Sequence, residues 1–310
     1  MPNMQIISEF LAEPWAILAP HFQALLQAVA TWSAAPPEAA RPAPAARQSG
    51  AIAVLPLHGP IFARGSAFED LFGPVTSADR FAAQLRQAAG DSTISAIVVD
   101  VHSPGGSVAG IPEAVAAMRD AAGRKPVVAS ANHMAASAAY WLASNATEIL
   151  VSPAGEVGSI GVFAAHQDIS QALEQAGIKI SLVSAGKYKT EGNPYQPLGD
   201  DARAALQARV DEFYQMFTGD VAKGRGVAVD TVRGTFGEGR MVGAKQAVSL
   251  GMADGIGTLD DAIRRAAKLA GQAGQAQAVT AAETAPAIQA ETPPAAELDF
   301  RQRRARAIRR

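Results

Sequence analysis

The sequence predicts an α/β fold, and three observations carry that reading. Short apolar runs rich in β-branched residues alternate with stretches of helical period along most of the chain. Alternation of this kind argues for strands covered on both faces by helices. An apolar share of 48% over 310 residues, with a net charge of −2, is enough for a sizeable core and gives no overall bias toward nucleic acid or anionic membrane. The absence of cysteine excludes disulfides, thiolate zinc sites and a cysteine nucleophile, so any chemistry must use oxygen or nitrogen groups.

Taken in order, residues 1–33 read as a helical arm. The stretch "EPWAILAPHFQALLQAVATW" is not expected to be a signal or anchor segment: no Lys or Arg precedes it, Glu9 precedes and Glu13 opens it, and Pro20, His21, Gln23 and Gln27 interrupt the apolar run. A short amphipathic helix is expected after Pro20, with Phe22, Leu25, Leu26 and Val29 on one side. Residues 34–50 are rich in Pro and Ala and read as an extended linker. In the folded body, 51–265, strands are expected at "AIAVLPLHG", "AIVVDVHSPGG", "PVVASAN", "EILVSP" and "KISLVSA". Helices are expected over 77–90, 108–123, 135–144 and 200–222. Residues 266–310 have few large apolar side chains to offset the entropy of ordering, so disorder or a weak helix is expected there. The last ten residues, "RQRRARAIRR", carry six arginines, a solvated basic tail or an electrostatic handle for nucleic acid or an acidic protein surface.

Several residues suit catalysis. In "IVVDVHSPGGSVAG" a strand ends in Ser103-Pro104-Gly105-Gly106 and a helical pattern follows. Paired glycines at such a turn let backbone N–H groups approach a developing negative charge, as an oxyanion hole requires; they also mark ordinary tight turns. Ser137 starts a helix among alanines, a position that suits packing or capping as well as attack, and Tyr140 and Trp141 can anchor that helix in the core. Two bases are open to it. Lys189 in "SAGKYKTEGNP" would need its pKa lowered from about 10.4 toward neutrality, a shift of roughly three units that costs about 4 kcal/mol and demands a dry site with a hydrogen-bond partner such as Ser159. His166 in "FAAHQD", oriented by Asp168, would instead make a Ser-His-Asp arrangement. The residues alone give a serine-type hydrolase with its base unresolved.

The body from about residue 51 to 265 resembles the signal peptide peptidase A family of serine-lysine peptidases. The likeness rests on an ordered set: "SPGG", "MAASAAYWLAS", "GEVGSIGVF", "SAGKYKTEGNP", "RVDEFYQMFTGDVAKGRG" and "GRMVGAKQAVSLGMADGIG". The resemblance implies the Clp protease/crotonase fold, a repeated ββα core with helices packed around it. It implies Ser137 as nucleophile, Lys189 rather than Lys187 as general base, and Ser159 as the serine that hydrogen-bonds the lysine. Gly105, with Gly106 beside it and the N–H of Ala138, would form the oxyanion hole, and the family works without a catalytic histidine. The pair after the nucleophile, often Gly-Gly in the family, is Ala138-Ala139 here, which narrows the cleft.

The arm, linker and arginine-ended tail are similar in arrangement to the prohead proteases of tailed phages. That likeness implies a capsid assembly protease acting inside the prohead in the host cytoplasm, on scaffold, portal or its own tail. Partners are then a protein or peptide substrate, other copies of the chain, and coat, scaffold or portal protein through the basic tail. Membrane and nucleic acid are not expected as partners, nor is a cofactor or metal ion. The alternatives are a soluble peptidase of signal-peptide remnants and a catalytically silent assembly protein.

Overall fold

A computed structural model of the chain describes residues 7, 10, 11, 13–31, 45–64 and 75–284. The expected linker up to residue 44, and the tail from 285 with its terminal arginines, lie outside the described residues. In chain order the elements are β1 (Trp15–Ile17), α1 (Ala19–Thr31), β2 (Arg47–Ser49), β3 (Ile52–His58), β4 (Ile61–Phe62), β5 (Thr76–Ser77), α2 (Ala78–Gly90), β6 (Ala96–Ser103), β7 (Gly105–Ser107), α3 (Ile111–Arg124), β8 (Val127–Ala136) and α4 (Ala138–Ala143). They continue with β9 (Glu148–Val151), β10 (Glu156–Gly158), α5 (Ser170–Gln175), α6 (Asp200–Arg225), α7 (Val229–Thr235), β11 (Met241–Gly243), α8 (Ala244–Ser249), β12 (Gly255–Ile256) and α9 (Leu259–Thr284). Two compact units divide the chain, Met1–Ala270 and Gly271–Arg310; the described part of the second, 271–284, is helical.

The architecture is mixed α/β. In the larger sheet β3, β6 and β8 run parallel, and β8 is flanked along its length first by β9 and then by β10, both parallel to it. Antiparallel β2 and β11 close the edges beside β3 and β10. The near-continuous apolar run of β6 follows from this central place. Ile97, Val99 and Val101 enter the main core with residues of α2, α3, α4 and α6, while Ala96 and Val98 pack on the opposite face against Ala262 and Ala266 of α9. A four-stranded second sheet, in the order β1-β7-β4-β5, stands beside it.

Local chemistry accounts for the helix ends. Ser77 caps α2 by accepting from the Arg80 N–H at 3.3 Å. α6 stops at Gly226, whose φ of 66° suits a left-handed C-cap. α1 begins at Ala19 and turns Phe22, Leu25 and Val29 inward onto Trp15, Phe62 and Phe163, so the arm docks on its own chain. Two observations differ from the sequence expectation. Residues 47–49, read as linker, form an exposed strand on β3. Residues 179–185, read as a strand, make no ladder; Ile180, Leu182 and Val183 lie exposed there, because a strand exists only where an edge is offered to pair with it.

A polar brace fixes α4. Trp141 stacks on Phe217 at 4.6 Å, and its indole N–H donates to Asp220 at 2.8 Å. Asp220 also accepts from Arg119 at 2.7 Å, Arg119 donates to Asn145, and Asn145 donates to the Trp141 carbonyl. Gly224 of α6 allows the crossing, since a Cβ there would lie 2.1 Å from the Ser144 carbonyl oxygen.

Near the C-terminal ends of β3 and β6, Asp100 meets His58 at 3.1 Å. Burial pushes the Asp100 carboxyl up, but the His58 ring, the Asn132 amide and Arg47 outweigh it, so it stays below the ordinary carboxylate value. The stability it contributes is therefore complete above the ordinary carboxylate value and is lost as pH falls through the depressed folded one. Urea unfolding of an Asp100→Asn variant is expected to lose less stability than wild type on acidification below about pH 4.

Candidate active site

Ser137 stands at the junction of β8 and α4, with φ 54° and ψ −120°. Such a backbone conformation is costly for serine and persists only where its surroundings hold it. Here the Ser137 N–H donates to the Gly158 carbonyl at 2.7 Å, and the Ser137 carbonyl accepts from Trp141 N–H at 2.8 Å. Its neighbour strand ends in the same manner. Ala136 and Gly158 are paired in register, and Ser159 follows with φ 53°, its N–H donating to the Arg240 carbonyl at 2.8 Å. The two serines thus leave the sheet side by side, both buried. The Ser137 hydroxyl makes a long contact, 3.5 Å, to the Gly161 carbonyl.

The Gly105-Gly106 segment backs directly onto this serine. A Cβ on Gly105, where φ is 94°, would lie 2.9 Å from Ser137 Cβ and 2.2 Å from the Ala16 carbonyl oxygen; one on Gly106 would lie 1.8 Å from the Ile61 carbonyl oxygen. Only glycines admit so close an approach. The Gly105 N–H donates to Ser103 Oγ at 3.2 Å. For Gly106 the antiparallel ladder with β1 decides. Leu18 N–H donates to the Pro104 carbonyl and Val108 N–H to the Pro14 carbonyl, so Ala16 and Gly106, midway between, form the closely bonded pair. The Gly106 N–H is therefore the one aimed at a carbonyl from another segment. Ala138 is the first residue of α4, where helical N–H groups lack intrahelical acceptors.

The bases expected for Ser137 are not brought to it. Lys189 lies in an exposed loop; among the described residues its amine makes no hydrogen bond or ion pair, and no hydrogen bond joins it to Ser137 or Ser159. Lys187 is exposed and bonded to the Tyr188 hydroxyl. His166 fares no better as an alternative: its Nε2 is buried without a partner, and the Asp168 carboxylate accepts from Ser170 N–H instead. Hydrogen bonding by Ser170 holds the Asp168 carboxyl below its ordinary value. Among the described residues there is no grouping of His, Asp and Glu fit to hold a metal ion, and no helix long and apolar enough to cross a membrane.

Sequence reasoning missed the segment that touches the site from outside, β1. A three-residue strand has no readable period, and its only signal was an apolar triplet after Pro14.

Residues 119–273 match the model of peptidase family S49. The capsid assembly protease C of Escherichia phage lambda is 40% identical over 215 residues, 68% of this chain and 48% of that protein. The head-tail preconnector protein GP5 of Enterobacteria phage P21 is 35% identical over 72% of this chain and 44% of its own length. Protease 4 of Salmonella typhi is 33% identical over 68% of this chain and 34% of its own. The chain thus spans about half the length of the two phage proteins it matches.

Proposed function

The chain belongs to peptidase family S49, and on that premise we propose that it is a serine endopeptidase of phage or prophage capsid assembly. The observation that carries the catalytic reading is the strained Ser137 at the head of a braced helix, with the obligatory Gly105 packed against it and Gly106 next in the chain against Ile61. The capsid role rests on the names of its two phage relatives, one a capsid assembly protease and one a head-tail preconnector protein. Parallel β3, β6 and β8, alternating with helices in the chain, support the Clp protease/crotonase type of core.

In this mechanism Ser137 Oγ attacks the substrate carbonyl as Lys189 takes its proton. The Gly106 and Ala138 N–H groups receive the oxyanion, with Gly105 providing the close approach. Collapse expels the amine, which takes the proton from Lys189, and water activated by the same lysine releases the acyl group. Ser159 orients the lysine. Lys189 has to be carried to Ser137, and its segment has a reason to move. Ile178, Ile180, Leu182, Val183 and Tyr188 around it are exposed, a surface that self-association would cover. Coverage would also supply the dry surroundings a lysine base needs. The site of action is the prohead within the host cytoplasm, with scaffold, portal or the chain's own tail as substrate.

The test is the intact mass of the purified full chain over time, beside Ser137→Ala, Lys189→Ala and His166→Ala. Tail loss in wild type and the His166 variant alone is the expected result. Cleavage that depends on His166 and not on Lys189 overturns the dyad. If all four chains stay whole when mixed with coat, scaffold and portal proteins that likewise stay whole, the silent assembly protein is the better reading.

A further inference from the structure

Ser137 is fully buried, which no nucleophile for peptide bonds can be while it works. Part of what covers the site is the chain's own β1. Its backbone is bonded on both sides. On one side Trp15, Ala16 and Ile17 pair antiparallel with Ser107, Gly106 and Gly105. On the other, Trp15 exchanges two hydrogen bonds with Phe163, at 2.8 and 3.0 Å, two residues beyond the Gly161 carbonyl that Ser137 Oγ faces. A segment held by main-chain bonds along both edges, with a small residue at its centre, occupies a slot for an extended peptide. The carbonyl of that central residue, Ala16, receives the Gly106 N–H and lies beside the nucleophile, within 2.2 Å of the point from which Ser137 Cβ is 2.9 Å.

What holds β1 in the slot is largely the arm itself. Trp15 is 1% exposed and packs on Phe10, Phe22 and Phe62, its indole N–H donates to the Phe10 carbonyl, and Glu13 accepts from Ser107 Oγ at 2.7 Å. Apart from Phe62 and Ser107, these groups belong to the arm. We propose that residues 13–31 are an intramolecular competitor: the arm fills the peptide slot between Gly105–Ser107 and Phe163, and substrate enters only when the arm leaves. The slot's ligand class follows from its occupant, an extended peptide with a small residue opposite Gly106. The inhibitory consequence rests on Ser137 as the nucleophile; the occupancy of the slot does not.

The experiment therefore reads binding, not turnover. Trp15 and Ser107 face each other at a pair without mutual hydrogen bonds, where Cα atoms lie about 4.5 Å apart, and the chain has no cysteine of its own. In a Ser137→Ala background, Trp15→Cys with Ser107→Cys can pin the arm when oxidised and free it when reduced. The probe is a fluorescein-labelled peptide of residues 12–19, AEPWAILA. At least tenfold tighter binding after reduction is expected; equal affinity in both states, or no binding in either, overturns the proposal. Should the double variant not fold, Ala16→Pro removes the N–H that pairs with Gly106, and the same peptide is expected to bind that chain at least tenfold more tightly than its Ala16 parent. Equal affinities again overturn it. Gated binding in a chain that never hydrolyses peptide keeps the competitor and removes the peptidase reading.

Discussion

Ser137→Ala is expected to abolish covalent capture by a fluorophosphonate and to lower kcat/KM on a cleaved peptide by about 10⁴-fold or more. A nucleophile and its base act as a unit, so removing one member costs nearly as much as removing both, and what remains comes from the oxyanion donors and binding. Lys189→Ala is expected to cost about 10³-fold or more, and the double variant no more than Ser137→Ala alone. Burst and steady-state kinetics on the four chains measure this. The folded baseline is secure, because the Ser137 side chain makes only a 3.5 Å contact and its strained backbone is held by bonds from its own N–H and carbonyl, which alanine keeps. Additive losses would mean that the two residues act separately, and the dyad would be lost as an explanation.

Gly106→Ala is expected to cost about 3 kcal/mol or more in urea unfolding. The new Cβ would lie 1.8, 2.5 and 2.6 Å from the carbonyl oxygen, carbonyl carbon and nitrogen of Ile61, all backbone atoms of β4 that cannot rotate away. Gly123→Ala is the control: nothing lies within 4 Å of its Cβ, and alanine is the better helix former, so no loss is expected. If Gly106→Ala folds as stably as wild type, β4 and β7 are not packed as described, and the oxyanion assignment fails with them.

Some of this was legible in the residues. Four helices fell within a few positions of their expected places, helped by apolar patterning and, before α2, by the Ser77 cap. The parallel strands were legible because burial on both faces demands near-continuous apolar runs such as "AIVVDV". Residue pattern alone left Ser137 one candidate serine among several, and only the family resemblance marked it as the nucleophile. Its positive φ follows from the bond to Gly158, and its place beside Ser159 follows from the register of β8 with β10; neither lies within its own stretch of sequence.

By itself, then, the sequence determined the α/β class, the order of its main elements and the set of motifs that identify the peptidase family, since these depend on local periodicity and short spacings. The tertiary structure alone decided which expected strands pair and what touches the nucleophile. Trp15–Ile17 is a strand because an edge some ninety residues away accepts it, and 179–185 is not one because it pairs with no edge among the described residues. Every residue but proline offers the same backbone donor and acceptor, so a short strand carries no mark of its partner. The place of the arm beside Ser137 is set by that pairing.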